Sequence, residues 1–153
     1  MGCYHMRQFH YMLNAVHVIL HFGALFCLTV MWTNKLLYIQ ILDFEHWWNI
    51  FAVLTLVFTL AVSKAVMIGG FLDRPLVGGW NKPRTLGIYG FSLIFILISA
   101  GLQTWTTVST ASDPQYTARY ITGTCFTWAL AITWVLFMVA YACKYRDDED
   151  EER

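Results

Sequence analysis

The chain has 153 residues and no net charge; 58% of the residues are hydrophobic, 17% aromatic and only 13% charged. Because soluble domains carry about 25% charged residues, this composition argues against a soluble domain. The lack of a basic cluster argues against nucleic-acid binding. The four cysteines lie within or near the ends of apolar segments, which argues against a disulfide framework, and the lack of a C-x-x-C pair argues against a redox motif.

Four long stretches contain no charged residue, and each is near or above the roughly 18 residues that mark a spanning helix. They lie between Arg7 and Lys35, Glu45 and Lys64, Arg84 and Asp113, and Arg119 and Lys144. A soluble helix would need a polar face with charged residues exposed to water, and these stretches contain no charge. We therefore predict an all-α integral membrane protein with a four-helix transmembrane bundle. Its parts are an N-terminus over 1–10, a domain over 11–145 with helices at about 11–32, 47–69, 85–108 and 119–145, and an acidic tail over 146–153.

The N-terminal segment is too short for a domain and lacks the cleavage region of a signal peptide. Cys3 lies close to the first predicted helix and is a candidate for palmitoylation. Myristoylation is not expected, because its pattern requires Ser or Thr at the position that Met6 occupies.

The first predicted helix carries a polar face formed by His10, Asn14, His17 and His21. Residues with this spacing share one side of a helix. Polar groups in hydrocarbon need internal partners, so this face should point into the bundle. Histidines facing each other across a bundle can bind haem or metal, whereas interhelical hydrogen bonds would contribute about 0.6–2 kcal/mol each. We favour hydrogen bonds and predict no cofactor, no metal ion and no catalytic residue.

The predicted loop over 33–46 is apolar enough to lie on the membrane surface, bracketed by tryptophans. In the second helix, Lys64 is the only charge placed inside a spanning segment. It lies about 9 Å from the helix midpoint, at 1.5 Å per residue. Lys64 therefore either reaches the membrane surface alone or pairs with Asn14 or His17 on the first helix.

Small residues predict places where helices approach each other closely. The second helix repeats them at every fourth position, the third begins with two, and the fourth carries one. These predicted helix-packing residues are Ala61, Ala65, Gly69, Gly87, Gly90 and Gly123.

The loop over 72–84 contains two of the three prolines, a Gly-Gly pair and three basic residues, and it joins two helical hairpins. With four spans, this loop and both termini share one side, which carries seven basic residues against two on the other side. The positive-inside rule therefore predicts that both termini are cytoplasmic. The two outer loops, of about 10–14 residues, are too short to form an extracellular domain.

Short outer loops, inner termini, a polar first helix and the apolar run Cys125-Phe126-Thr127-Trp128-Ala129-Leu130-Ala131-Ile132-Thr133-Trp134-Val135-Leu136-Phe137 in the last helix resemble the MARVEL domain. The resemblance covers about residues 7–145 and rests on architecture, since that family lacks a strict motif. It implies a role in vesicle trafficking, membrane apposition or junctions, and it implies no catalytic residue.

Three functions remain open at this stage. The first is a non-enzymatic four-span protein that organises membranes, vesicles or junctions through helix association, in the plasma membrane or endomembrane vesicles. The second is an accessory subunit of a channel, transporter or respiratory assembly, for which an organelle inner membrane is an alternative location. The third is a redox or proton-handling enzyme that uses His10, His17, His21 and Lys64. We predict as partners the lipid bilayer and other membrane proteins or further copies, with no nucleic acid and no soluble substrate.

Overall fold

A computed structural model describes residues 2–33, 36–39, 47–71, 82–111 and 114–151. These residues form four helices: α1 (Gly2–Thr29), α2 (Asn49–Phe71), α3 (Lys82–Ser109) and α4 (Pro114–Glu151). Each helix contains a stretch long and apolar enough to cross a membrane: Met12–Thr29, Asn49–Val66, Pro83–Ser109 and Thr117–Ala142. The prediction of four helices of this kind is confirmed.

Two short strands follow α1 and depart from a purely helical chain. β1 (Val30–Thr33) and β2 (Leu36–Ile39) pair in antiparallel fashion, with Val30 opposite Ile39 and Thr33 opposite Leu36. The first helix therefore ends at Thr29 instead of at about residue 32, and part of the predicted surface loop is a β-ribbon. β-branched and aromatic residues favour strands, which accounts for the change of structure at Val30. Residues 40–46 of that loop, and 72–81 of the inner loop, lie outside the described residues.

The outer limits of the first and last helices also differ from the prediction. α1 begins at Gly2 and so includes most of the predicted N-terminal segment. α4 continues to Glu151 and includes most of the predicted acidic tail. Neither extension contains a proline or an internal glycine that would end a helix, so helical structure continues beyond the apolar stretch.

The helices form a ring in which each packs against two neighbours. α1 packs against α2 and α4, and α3 packs against the same two helices, so α1 and α3 occupy opposite corners. Leu56, Ile96, Leu130 and Trp134 are fully buried between them. We call the end of the bundle at which α1 passes into β1 the strand end.

The buried side of α3 is mostly polar. Apart from Ala100, its buried positions alternate in steps of four and three residues, the spacing of one face of a packed helix; they are Thr85, Tyr89, Ser92, Ile96, Ser99, Gln103 and Thr106. From Thr85 to Thr106 this stripe extends about 31 Å, at 1.5 Å per residue. That length equals the hydrocarbon thickness of a bilayer, about 30 Å.

Candidate functional site: two buried polar clusters

Six polar side chains from three helices form what we call the histidine cluster. Asn14, His17 and His21 come from α1, Thr59 and Ser63 from α2, and Thr133 from α4; all are buried. The three α1 residues belong to the polar face identified in the sequence, and the structure places them inside the bundle. The side chain of His10 lies outside the described residues.

His17 is held by α4. Its Nδ1 lies 2.8 Å from Oγ1 of Thr133, whose hydroxyl donates to the carbonyl oxygen of Leu130 at 2.8 Å. With the single hydroxyl proton of Thr133 on the Leu130 carbonyl, Nδ1 of His17 is the donor in its contact with Thr133. In the neutral ring Nε2 is then a bare acceptor, and it finds no hydrogen-bond partner among the described residues.

The indole of Trp134 stands beside His17, with ring centroids 4.8 Å apart and planes at 85°. Its Nε1 is a donor without a hydrogen-bond partner in the described part of the chain. The structure thus places an unused donor and an unused acceptor in neighbouring rings. Each such buried group costs about 1–3 kcal/mol.

His21 is held by α1 itself and by α2. Its Nδ1 donates to the carbonyl oxygen of His17 at 2.9 Å, and its Nε2 lies 2.9 Å from Oγ1 of Thr59. In the neutral ring Nε2 is an acceptor, so Thr59 must donate to it. The carbonyl oxygen of Thr55, 2.8 Å from the same hydroxyl, competes for that one proton.

The second contact between α1 and α2 joins Ser63 to Asn14, where the serine hydroxyl donates to Oδ1 at 2.9 Å. The sequence analysis considered Lys64 as a partner for Asn14 or His17. In the structure the neighbouring residue, Ser63, bonds Asn14 instead, and Lys64 is only half-buried.

Five side chains nearer the strand end form what we call the amide cluster: Asn49 from α2, Gln103 and Thr106 from α3, and Tyr120 and Thr127 from α4. Thr127 donates to Oε1 of Gln103 at 2.9 Å. Thr106 donates to Oδ1 of Asn49 at 3.3 Å, and Nδ2 of Asn49 donates to the Tyr120 hydroxyl at 3.4 Å. Nε2 of Gln103 finds no partner among the described residues.

At the strand end, Arg119 joins the last helix to the first. Its Nη2 donates to the carbonyl oxygen of Leu28 at 3.3 Å and to the Tyr120 hydroxyl at 3.4 Å. Leu28 belongs to the last turn of α1, where carbonyl groups have no partner within the helix. Arg119 therefore caps α1 from α4.

The predicted helix-packing residues behave differently from one another. Gly123 meets α1, since a Cβ at this position would lie 3.4 Å from Cβ of Cys27; Gly90 has only Met138 nearby, at 3.9 Å. Gly69 is buried and Ala65 half-buried. Ala61 and Gly87 are exposed, and nothing in the described residues lies within 4 Å of a Cβ at Gly87. No described helix of this chain therefore packs closely on Gly87, and helix packing at these two positions stays a prediction.

The sequence analysis missed two features. Gly23 makes the closest approach, because a Cβ there would lie 3.0 Å from the ring of Phe126 on α4. The polar stripe of α3 was also missed, although the spacing of Ser92, Ser99, Gln103 and Thr106 was readable. Serine and threonine are common in apolar helices, so the regular spacing was the only signal.

Other candidate chemistry is sparse in the described residues. No group of three or more His, Cys, Asp or Glu residues there could hold a metal ion. Cys27 is half-buried and Cys125 exposed, and both are free thiols. Cys3, the predicted palmitoylation site, lies in α1, but its side chain is outside the described part.

Comparisons with protein-family models, with curated proteins and with solved structures find no match for this chain.

Proposed function

We propose that this chain is a four-span integral membrane protein, with both termini in the cytoplasm, that organises membranes by associating with copies of itself or with other membrane proteins. The proposal involves no catalysis and no cofactor. Its location would be the plasma membrane or endomembrane vesicles, in keeping with the resemblance to the MARVEL domain.

The observation that supports membrane insertion is the distribution of polarity. Histidine, asparagine, glutamine, serine and threonine side chains are buried between the helices, while large apolar side chains cover the outside. Ile19 on α1 is 66% exposed and Ile132 on α4 is 62% exposed. In water this arrangement would expose apolar surface, whereas in lipid it satisfies the polar groups internally.

Association is supported by the outward face of α3. Gly87 and Gly101 lie on that face, separated by 14 residues, or about four helical turns, and none of the described residues has an atom within 4 Å of a Cβ at either position. A helix from another chain could therefore approach this backbone closely, which is how membrane helices commonly associate.

Insertion and topology can be tested with single cysteines in living cells. In a chain whose native cysteines are replaced by serine, we expect a cysteine in the tail, such as Arg153→Cys, to react with an impermeant maleimide only after permeabilisation. Ala111→Cys, exposed at the strand end, should react in intact cells that carry the protein in the plasma membrane. Tail labelling in intact cells would contradict the topology, and recovery of the protein in the supernatant without detergent would contradict insertion.

Association can be measured by single-molecule photobleaching of the full chain in native-lipid particles. We expect more than one copy, or a co-purifying membrane protein, in most particles. Gly87→Leu and Gly101→Leu should reduce that fraction, while Ile94→Leu, on the same face, is the matched control and should not. A chain that is alone in every particle would overturn the proposed function.

A second candidate, an accessory subunit of a larger membrane complex, is supported by exposed aromatic residues near the strand end. Trp105 is 68% exposed and Trp47 is 69% exposed, and tryptophan is enriched both in protein interfaces and at the membrane surface. Purification in a mild detergent, followed by native mass measurement, separates the candidates. A large partner in fixed stoichiometry supports the accessory subunit, and homo-oligomers support the organiser.

A further inference from the structure

His17 and Trp134 together offer a hydrogen-bonding site that no described side chain fills. His17 is 0% exposed and Trp134 is 1% exposed. While Nδ1 of His17 donates to Thr133, its Nε2 has a lone pair and no proton. Nε1 of Trp134 has a proton and no lone pair. Neither atom has a hydrogen-bond partner among the described residues, so the two rings do not bond each other either.

Aromatic rings from three helices surround this pair. The ring of His17 on α1 lies 5.8 Å from the ring of Phe137 on α4, and the ring of Trp134 lies 5.6 Å from the ring of Tyr89 on α3. Phe137 and Tyr89 are buried as well. The pair is therefore shielded from the outside of the bundle, and whatever satisfies it must be held inside.

The occupant of this site must accept a hydrogen bond from Trp134 and donate one to His17. A carboxylate only accepts, and an ammonium or guanidinium group only donates. A metal ion could bind the lone pair of His17 but could not accept the indole proton. A hydroxyl accepts and donates through one atom, and the smallest molecule that carries it is water. Buried waters typically bond polar groups that have no other partner.

The separation of the two rings suits a single bridging oxygen. An oxygen about 2.9 Å from each of two nitrogens can join them across a gap of up to about 5.8 Å. The ring centroids of His17 and Trp134 are 4.8 Å apart, within that reach. A larger alcohol would also have to place its carbon atoms among buried rings, so the site favours water.

We propose that one water molecule is bound between α1 and α4, accepting a hydrogen bond from Nε1 of Trp134 and donating one to Nε2 of His17. The water joins the two helices at a second point, beside the bond between His17 and Thr133. Ordering a water has an entropic cost, so it offsets the cost of the two unused groups only in part. The site lies inside one chain and does not depend on the proposed association.

The test is solid-state NMR of the full chain in lipid bilayers, with isotope-labelled histidine and tryptophan. The signals of Trp134 are assigned through its link to Val135, because the sequence contains no other Trp-Val step. We expect magnetisation transfer from water to the indole N–H of Trp134. We also expect the proton of His17 on Nδ1, and an Nε2 resonance typical of a nitrogen that accepts a hydrogen bond.

Two substitutions separate the water from the packing around it. Trp134→Phe keeps an aromatic ring but removes the donor, so the Nε2 resonance of His17 should shift toward that of an unbonded nitrogen. Phe137→Leu is the control, because it changes the ring beside His17 without removing a polar atom, and the transfer from water to Trp134 should persist. If Trp134→Phe does not fold, the measurement on the unmodified chain decides alone.

Several results would overturn the inference. A direct coupling between Nε1 of Trp134 and Nε2 of His17 would show that the rings bond each other. A proton on Nε2 of His17 would leave two donors and no acceptor for the water. Transfer from a lipid hydroxyl, lost when detergent replaces the lipid, would identify a lipid as the occupant, and the absence of any transfer would show a dry site. None of these results decides whether the chain associates, so the proposed function is tested separately.

Discussion

The histidine cluster connects α1, and the amide cluster connects α3, to the same two helices, α2 and α4. His17 bonds α4 through Thr133, and His21 bonds α2 through Thr59. On the other side, Gln103 of α3 bonds α4, and Thr106 bonds α2. Each corner helix is thus fastened to both of its neighbours by polar contacts. In lipid, where no hydrophobic force joins helices, such contacts specify which helices meet and at which depth.

The two clusters differ in what they leave unused. The histidine cluster leaves an acceptor, Nε2 of His17, next to a donor, Nε1 of Trp134, whereas the amide cluster leaves only a donor, Nε2 of Gln103. Because an unused buried group opposes folding, the net contribution of each cluster is smaller than its hydrogen bonds suggest. Substitutions that remove a hydrogen bond and substitutions that remove an unused group should therefore change the free energy of unfolding differently in the two clusters.

The largest effect is expected at Trp134, which packs against His17 and, at 5.6 Å between ring centroids, against Tyr89 of α3. Trp134→Ala removes a fully buried ring and should lower the free energy of unfolding by about 3–5 kcal/mol. Trp105→Ala, the matched control at an exposed position, should change it by no more than about 0.5 kcal/mol. Titration with a denaturing detergent measures the free energy of unfolding of both variants. Equal effects of the two substitutions would show that Trp134 does not bridge α1 and α3.

The next effect separates two glycines that the sequence analysis treated alike. Gly123→Leu inserts a side chain between α4 and α1, where Cβ of Cys27 is already close, and should cost about 1–3 kcal/mol. Gly87→Leu faces open space and should leave the free energy of unfolding of the isolated chain unchanged or slightly raised, because leucine favours helices more than glycine does. A destabilised Gly87→Leu chain would contradict the exposed position of Gly87.

A smaller effect compares the clusters directly through two double-mutant cycles. His21→Leu combined with Thr59→Val should give a coupling energy of about 0.6–1.7 kcal/mol. Gln103→Leu combined with Thr127→Val should give a coupling energy in the same range. In both pairs a main-chain carbonyl competes for the one threonine proton, that of Thr55 at 2.8 Å and that of Gly123 at 2.9 Å. A coupling near zero in either cycle would show that the hydrogen bond does not stabilise the contact between the two helices.

The smallest effect is expected at Lys64. Lys64→Leu should change the free energy of unfolding by less than about 0.5 kcal/mol, since the partner of Asn14 is Ser63. Ser63→Ala, one residue away, removes that hydrogen bond and should cost about 0.6–1.7 kcal/mol. If Lys64→Leu were the more harmful change, Lys64 would be part of the histidine cluster after all.

The four helices were predictable because charged residues are absent from four long stretches. Hydrocarbon excludes charged residues however the helices pack against each other, so this pattern can be seen in the sequence. The histidine cluster was half predictable. His17 and His21 are conspicuous in an apolar helix, and their spacing shows that they share a face. Their partners, Thr59 and Thr133, could not be chosen among many similar hydroxyls without knowing the depth and rotation of each helix.

The amide cluster and the β-ribbon were missed for different reasons. Gln103 and Thr106 were readable as part of a regular stripe, but serine and threonine often bond to their own helix, which hides their role. The ribbon at Val30–Thr33 follows an apolar helix without an intervening glycine or proline. Local composition therefore favoured continuing the helix to Trp32.

The contact between Arg119 and Leu28 has a consequence for biosynthesis. The ribosome makes α1 first and α4 after the other three helices, yet α4 supplies the cap of α1 and the hydroxyl that holds His17. If the chain inserts as proposed, the imidazole of His17 and the terminal carbonyl of α1 lack these partners until α4 leaves the translocon. A nascent chain stalled before Arg119 should therefore still be a substrate for chaperones and quality-control proteases of the membrane.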